Sequence, residues 1–400
     1  MKLLQINGGI FGSTGRIMFS IEELAQSFGF ETLSCAPVTE HRKSDKNFFI
    51  IESFLIRKIN AFLDYIFGTN GCFSYFSTKR LIKRIKEFNP NIIHIHTIHG
   101  GYINIKLFTK FLKKTNAKIV WTFHDCWPFT GRCPYFDIYN CNNWKTGCKK
   151  CPYSKSEYPR VLFNKSSKMW KLKNQCFSNI PNLLIVTPSM WLEQLTKQSF
   201  FAQYPSVVIN NGIDLNDFKP TESDLKKRYS LNDEDHLVLG VSFAWGKRKG
   251  LDVFNSLAKR LPDNYRIMLV GTNSSVDSQL DKRIISLHRT DSQIELAKIY
   301  TAADVFVNPT REDNYPTVNM ESLACGTPVL TFKTGGSPEM VDSTCGNVID
   351  CDDIESLEKE IIRTCENKPY SQEECLKKSR DFESKAAFVK YIDLYKKILH

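Results

Sequence analysis

Short apolar runs recur along the chain, and between them apolar residues return at the three-to-four spacing of a helix. The runs predict strands at 3–6, 92–95, 119–123, 183–186 and 207–209, and then at 237–241, 267–270, 305–307 and 329–332. Strands that alternate with helices mark parallel α/β architecture. Between the two groups lies Ile209-Asn-Asn-Gly-Ile-Asp-Leu-Asn-Asp-Phe-Lys-Pro220, a turn-rich stretch suited to a domain link. The helix after the first strand shows Ile17, Ile21, Leu24 and Phe28 on one face. The last helix, from Ser384, carries Phe388, Tyr391, Ile392, Tyr395 and Ile398 as a stripe. Neither an internal repeat nor a low-complexity segment interrupts the pattern.

At 400 residues the chain is too long for one core and predicts two domains of similar size. With 42% hydrophobic and 24% charged residues it has the composition of an ordinary soluble globular protein. No window of about 18 apolar residues is free of charge, so no spanning helix is predicted. The first residues turn polar too soon for a signal peptide, and the expected location is cytoplasmic. There, the 13 cysteines are expected as thiols or metal ligands rather than disulfides.

Charge is distributed unevenly. Residues 1–215 hold 28 Lys and Arg against 13 Asp and Glu, while residues 216–400 hold 26 against 30. The cations concentrate in Lys79-Arg-Leu-Ile-Lys-Arg-Ile-Lys86 and in Lys106, Lys110, Lys113, Lys114 and Lys118. Both runs read as amphipathic helices with a basic face, either a solvated flank or a surface for anionic lipid. No nucleic-acid-binding motif accompanies the charge, so a membrane surface rather than nucleic acid is the expected partner.

The densest candidate chemistry follows the run at 305–307. A polar loop carries Glu312 and Asp313, Pro316 stands where a first helical residue would, and Gly326 stops the helix that follows. A helix N-terminus at the carboxyl end of a strand suits a phosphate. Glu321, one turn inside, is placed to accept from a hydroxyl such as a ribose offers. A second cluster, Trp245-Gly-Lys-Arg-Lys-Gly250, brings Lys247, Arg248 and Lys249 to a strand–helix junction, where cations can neutralise a diphosphate. His94, His96 and His99 follow the strand at 92–95. They form either a metal site without a completing acid or hydrogen-bonding groups for substrate or backbone. From 126 to 160 the pattern breaks into a polar loop with Cys133, Cys141, Cys148 and Cys151. Four such thiols suit a structural tetrahedral zinc that would staple a segment too polar to pack itself; reduced thiols and disulfides are the alternatives.

The wording Glu312-Asp-Asn-Tyr-Pro316, then Glu321-Ser-Leu-Ala-Cys-Gly-Thr-Pro-Val329 and Thr334-Gly-Gly-Ser-Pro-Glu-Met-Val341, closely resembles the donor-site signature of glycosyltransferase family 4. The resemblance implies a GT-B fold, two Rossmann-like domains facing a cleft, with residues 1–214 on the acceptor side and 215–380 binding the nucleotide-sugar. Residues 381–400 would form a helix returning to the first domain. It implies a first donor-site acid, for which Asp313 has the family spacing and Glu312 the side chain, and a ribose-binding acid, Glu321. Asn314 and Tyr315 fall inside the same loop, at the donor. Lys249-Gly250 matches the family's phosphate-contacting Lys-Gly, but the matching Arg position is Ala244, so Arg248 or Lys247 would have to substitute. His124 matches the active-site histidine. Asn7-Gly-Gly-Ile-Phe-Gly-Ser-Thr-Gly-Arg16 is similar to the first loop, which makes Gly12, Ser13, Gly15 and Arg16 donor-site candidates; its glycine spacing is not the dinucleotide fingerprint.

The resemblance, strongest over 182–345, extends to bacterial members that build capsule, O-antigen or colanic-acid-type polysaccharide. It implies a retaining glycosyltransferase of hexosyltransferase type that moves a sugar from a UDP- or GDP-sugar to a lipid-linked or oligosaccharide acceptor. It also implies no metal requirement for catalysis and a peripheral site at the inner face of the plasma membrane. The alternatives are a GT-B sugar-nucleotide epimerase and a non-catalytic, membrane-associated binding protein.

Overall fold

The computed structural model describes residues 1–37, 44–153, 155 and 159–399. Part of the cysteine loop (154 and 156–158) and residue 400 therefore lie outside the described residues. The chain divides into two compact units, Met1–Asn210 with Ala387–His400, and Asn211–Ala386.

The first unit holds β1 (Lys2–Ile6), β2 (Glu31–Ala36), β3 (Phe48–Ile50), β4 (Ile92–Ile95), β5 (Lys118–Thr122), β6 (Leu183–Thr187) and β7 (Ser206–Val208). All pair in parallel, in the order β3-β2-β1-β4-β5-β6-β7. Its helices are α1 (Gly12–Ser27), α2 (Phe54–Phe67), α3 (Tyr75–Phe88), α4 (Ile105–Leu112), α5 (Ser166–Phe177) and α6 (Met190–Lys197). Both sheet faces are covered, which explains the continuous apolar runs. Leu4, Ile6, Ile93, Ile95 and Trp121 pack on one side, and Leu3, Ile92, Val120 and Val186 on the other. The second side is closed by the final helix of the chain (Ser384–Leu399), through Phe388, Tyr391, Ile392 and Tyr395.

The second unit holds β8 (His236–Val241), β9 (Tyr265–Val270), β10 (Ile284–Leu287), β11 (Val305–Asn308), β12 (Val329–Phe332) and β13 (Gly346–Ile349). They form one parallel sheet ordered β10-β9-β8-β11-β12-β13. Its helices are α7 (Leu225–Arg228), α8 (Leu251–Arg260), α9 (Ser274–Asp277), α10 (Gln293–Ala302), α11 (Thr317–Ala324), α12 (Ile354–Asn367) and α13 (Gln372–Ser379), so the final helix is α14. The two-residue alternation is again strict. Val238, Ile267, Leu269, Val305 and Val307 face one core, and Leu237, Leu239, Met268 and Phe306 the other.

Several expectations change. β2, β3, β10 and β13 are strands that the expected set lacks; β3 is a short apolar run (Phe48–Ile50), while the others carry polar residues or glycine. In β2, Thr32 and Ser34 are buried between neighbours, and Thr32 Oγ1 donates to Glu22 Oε1 at 3.1 Å. The basic run at 106–118 is not one helix: α4 ends at Leu112, and Lys118 already opens β5. Phe28 is an exposed cap residue rather than core, its ring covered by Lys396 at 4.6 Å. Pro316 caps α11 instead of opening it, while Gly326 stops the helix as expected, in the left-handed conformation at φ 83°. There the Gly326 and Thr327 N–H groups donate back to Leu323 and Ser322 carbonyls, a Schellman-type stop. No described helix is long and apolar enough to cross a membrane.

Candidate active site

In an open parallel sheet a crevice forms at the carboxyl ends of neighbouring strands whose connections depart in opposite directions. That point falls between β1 and β4 in the first unit, and between β8 and β11 in the second. The sequence-selected residues outside the cysteine loop lie in or beside the segments leaving these strands and β5.

In the first unit, the buried Asn7 links two of those loops. Its Oδ1 accepts from the Gly8 and Thr97 N–H groups, and its Nδ2 donates to the Gly9 carbonyl and to Thr14 Oγ1. Gly15 lets α1 approach Ile10 closely: a Cβ there would lie 2.4 Å from the Ile10 carbonyl carbon. Gly12, Ser13 and Arg16 remain exposed at the start of α1, whose first turn has neither an acid nor a side-chain cap. Its N-terminal N–H groups and dipole therefore suit an anion.

Behind this loop runs a directional hydrogen-bond chain. Gln5 Nε2 donates to the Met18 carbonyl, which turns Gln5 Oε1 toward His96 Nε2 at 3.1 Å. His96 Nδ1 lies 3.1 Å from His124 Nε2, with the two rings stacked at 5.4 Å. Burial holds both imidazoles neutral; it brings His124 down to about 4 against the opposing charge of Asp125 and pushes His96 well below its ordinary range. A neutral His96 facing a carbonyl oxygen must carry its proton on Nε2, so its Nδ1 accepts from His124 Nε2. This assignment makes His124 Nδ1 an acceptor.

His94 serves the core instead, with Thr122 Oγ1 at 2.8 Å and the Tyr395 hydroxyl at 2.6 Å. His99 meets an acid that its own segment lacks, since its Nε2 lies 2.8 Å from Asp125 Oδ2. Burial opposes ionisation of Asp125, but His99 and the Trp127 N–H hold its carboxyl below the usual range. Among the described residues no three His, Cys, Asp or Glu side chains are grouped so that they could hold a metal ion.

The cysteine loop is not too polar to pack. Phe129, Phe136 and Trp144 are buried in the unit's core, with Trp144 5.1 and 5.2 Å from the two Phe rings. The four cysteines line one small cavity of about 10 Å³, close to the room for one small ion or water. The Gly131 N–H donates to Cys148 Sγ at 3.1 Å. Burial pushes the Cys133 and Cys148 thiols up to about 12. The fully buried Lys173, lowered to about 7 by burial against the pull of these thiols, ties α5 to the loop through the Trp127 and Thr130 carbonyls at 2.7 and 3.1 Å.

In the second unit, charge gathers. Lys249 pairs with Asp313, Arg248 Nη1 donates to the Glu312 carbonyl at 3.1 Å, and Glu312 is itself buried. Burial lowers the Lys249 ammonium; Asp313 and, to a smaller degree, Glu312 act the other way, while Arg248 adds to the lowering. Two glycines permit this closeness. A Cβ on Gly250 would meet the Pro309 carbonyl oxygen at 2.5 Å, and one on Gly335 would meet that of Asp313 at 1.7 Å. Both have φ in the left-handed region, at 74° and 55°. Glu321 is buried in α11 and accepts from the Tyr300 hydroxyl at 3.1 Å. Asn314 and Tyr315 are buried just before the helix.

Reasoning from the sequence missed Arg311. Its guanidinium is bidentate to Asp252 at 2.8 Å on both arms and reaches Asp352 at 2.7 Å, and it also donates to the Lys247 carbonyl. It therefore clamps the acid loop to the cation loop. Asp252 is 59 residues away, and no local pattern would reveal it.

Residues 52–217 match the family model described as Glycosyltransferase Family 4, and residues 235–367 match Glycosyl transferases group 1. The putative colanic acid biosynthesis glycosyl transferase WcaC of Escherichia coli (strain K12) is 26% identical over 67% of this chain. The chain spans 66% of that relative's length and 42% of that of a D-inositol 3-phosphate glycosyltransferase of Mycobacterium sp. (strain JLS). Among solved structures, sucrose-phosphate synthase from Thermosynechococcus elongatus superposes with a TM-score of 0.73 at 14% identity, covering 99% of this chain and 98% of that one. Anabaena HepE in complex with UDP-glucose gives 0.68 at 13% identity, covering 99% and 100%. One family model thus matches on each side of the domain link, Glycosyltransferase Family 4 before it and Glycosyl transferases group 1 after it, and the two parallel α/β sheets are of the GT-B type.

Proposed function

We propose that the protein is a retaining glycosyltransferase that moves a sugar, of hexosyl type, from a UDP- or GDP-sugar to a lipid-linked or oligosaccharide acceptor in bacterial surface polysaccharide biosynthesis. The observation that carries this reading is the constellation around Lys249: two cations, two acids and the N-terminus of α11 gathered at the switch point of the second sheet. The similarity to a colanic acid biosynthesis glycosyl transferase, and the UDP-glucose held by the structurally similar HepE, support the same class.

In this reading Lys249, Arg248 and the N–H groups near Asn314 balance the diphosphate, and Glu321 accepts from the ribose. The anomeric carbon–phosphate oxygen bond breaks as the bond to the acceptor oxygen forms on the same face, and the departing β-phosphate oxygen takes the acceptor's proton. No metal takes part in this step. Gly12, Ser13, Gly15 and Arg16 present the start of α1 to the donor. His124, through Nδ1, accepts from a sugar hydroxyl, and Glu312 or Asp313 lies nearest the transferred sugar. The reaction would take place in the cytoplasm, at the inner face of the plasma membrane, where the cations of α3 and α4 meet anionic lipid.

A thermal-shift panel of UDP-, GDP- and ADP-sugars tests the donor. A ligand at about 100 times its dissociation constant adds about 2.7 kcal/mol. Product NMR then reads the anomeric configuration. Stabilisation by none of the donors, or an inverted product, overturns the reading.

One structural zinc, held by Cys133, Cys141, Cys148 and Cys151, belongs to the proposal. Four cysteine sulfurs around one cavity with room for about one small ion support it, the metal displacing the thiol protons as it binds. Binding would have to draw the sulfurs closer than they stand, because no ligand group is formed among the described residues. Elemental analysis should find one zinc per chain, lost in Cys148→Ser with donor binding kept. Metal-free protein with an ordered loop refutes it.

A further inference from the structure

Helix α2 is built inside out. Of its residues, the buried ones are Asn60 and Asp64. Asn60 donates to Glu52 Oε2 at 3.1 Å, while Asp64 accepts from the Gly71 N–H and the Thr69 hydroxyl, each at 3.4 Å. Most of its apolar residues are exposed, and only Leu63 and Ile66 are half-buried. Leu55 is 68% exposed and Phe62 61%, and Ile59 between them falls on the same face at helical spacing. A surface helix of a globular protein has the opposite arrangement.

The exposed face continues beyond the helix. The Leu162 N–H donates to the Tyr65 carbonyl at 2.8 Å, and Phe163, 54% exposed, lies against Gly68 at the helix end. Phe76, at the start of α3, is 79% exposed. Large apolar side chains left exposed in such number mark a binding face.

Cations border it. Lys58 lies over the Phe54 ring at 4.4 Å, Lys79 over Tyr75 at 4.6 Å and Lys165 over Phe67 at 5.9 Å. Next to Phe67 opens a cavity of about 470 Å³, floored by Phe67, Phe73 and Leu172 and rimmed by Lys106, Lys165 and Lys168. An apolar face ringed by lysines complements a surface with apolar interior and negative headgroups. A second copy of the chain would set lysine against lysine. At 14 residues α2 is too short to span a bilayer, which takes about 20, so it would lie in the plane of the interface.

We infer that α2 is an interfacial helix whose outward face, with Phe76 and Phe163, inserts into an anionic lipid bilayer. The proposed function has the chain meet such a membrane through charge alone; this inference adds an insertion face and does not depend on the transfer reaction.

Sedimentation with vesicles of phosphatidylcholine, alone or mixed with phosphatidylglycerol, tests it, using wild type and Leu55→Glu/Phe62→Glu. Wild type should pellet with the mixed vesicles and retain part of its binding at high salt. The double variant should bind about a hundredfold more weakly, since each apolar side chain withdrawn from lipid is worth roughly tenfold or more. An unchanged far-UV spectrum and melting transition would show that the variant is folded. As an independent readout, the fluorescence of Phe62→Trp, corrected for the native tryptophans with wild type, should shift to the blue on adding the mixed vesicles. Equal vesicle binding by wild type and the double variant, or unshifted emission from vesicle-bound Phe62→Trp, overturns the inference. So does wild type that ignores vesicles but forms a dimer which the double variant abolishes.

Discussion

The two switch points occupy the same place in their sheets and are built from opposite materials. At β1 and β4 the first unit assembles uncharged imidazoles, made neutral by burial and ordered by hydrogen bonds that end at the Met18 carbonyl. At β8 and β11 the second unit assembles full charges, with Lys249 on Asp313 and Arg311 on Asp252 and Asp352. The difference shows that parallel-sheet topology sets where a ligand can lie, while side chains set which ligand it is. A neutral acceptor nitrogen suits a hydroxyl; a cluster of cations suits a phosphate.

Acid should break the first site before the second. His124 is held to about 4 in the folded chain, against about 6.5 unfolded. As pH falls the unfolded chain therefore takes up the proton first. The stability from neutral His124 is fully present above about pH 6.5 and is lost between there and about 4, of the order of 3 kcal/mol. His94 and His96 act in the same direction. Asp64, raised by burial to about 7, titrates with the opposite sign. Denaturation curves for wild type and His124→Gln should thus diverge across that window; parallel curves would mean that the histidine chain is not held neutral.

The second site is sharpened by Lys249→Ala and Glu321→Ala. Each should weaken nucleotide binding by roughly 1.5–3 kcal/mol, the worth of a charge-assisted hydrogen bond, without unfolding the protein. His124→Ala should leave nucleotide binding closer to wild type and depress transfer. Calorimetry with UDP and GDP, run beside a transfer assay, separates the two effects. Full activity in folded Lys249→Ala would remove the charged site from the mechanism.

Arg311→Ala should cost about 2 kcal/mol of stability and loosen nucleotide binding with it. The cost stays below that of a fully buried pair because Asp252 and Asp352 are each 53% exposed and can be rehydrated. Arg311→Lys should recover little, since an ammonium cannot make the bidentate fork. A change in binding without a change in unfolding midpoint would make Arg311 a ligand contact rather than a clamp. The smallest effects belong to single cations of α3: Lys79→Ala or Lys83→Ala should each lower affinity for anionic vesicles by about 1 kcal/mol.

Much of this architecture is legible in the sequence. Nine strands announce themselves as apolar runs, because burial on both faces of a parallel sheet leaves no polar alternation to hide them. The acid loop and the cation loop are legible as local patterns, since a helix N-terminus, a stopping glycine and three adjacent cations all act over a few residues. β2 escaped because its Thr32 and Ser34 are buried by neighbours rather than by their own hydrophobicity. The cysteine loop read as too polar because Phe129, Phe136 and Trp144 stand among polar residues without forming an apolar run, and meet only when the loop folds.

What the sequence determined on its own is therefore the alternation of elements, the link between two units and the residue types at each strand end. These follow from short-range periodicity and from backbone preferences. Tertiary structure alone decided that Lys249 meets Asp313, that Arg311 bridges two distant acids and that Asp125 completes His99. It also decided which nitrogen of His124 accepts, and that α2 turns its apolar face outward. Each of these depends on burial or on contacts between residues tens of positions apart, and the free energy of such contacts is set by the surrounding dielectric and packing rather than by the local sequence.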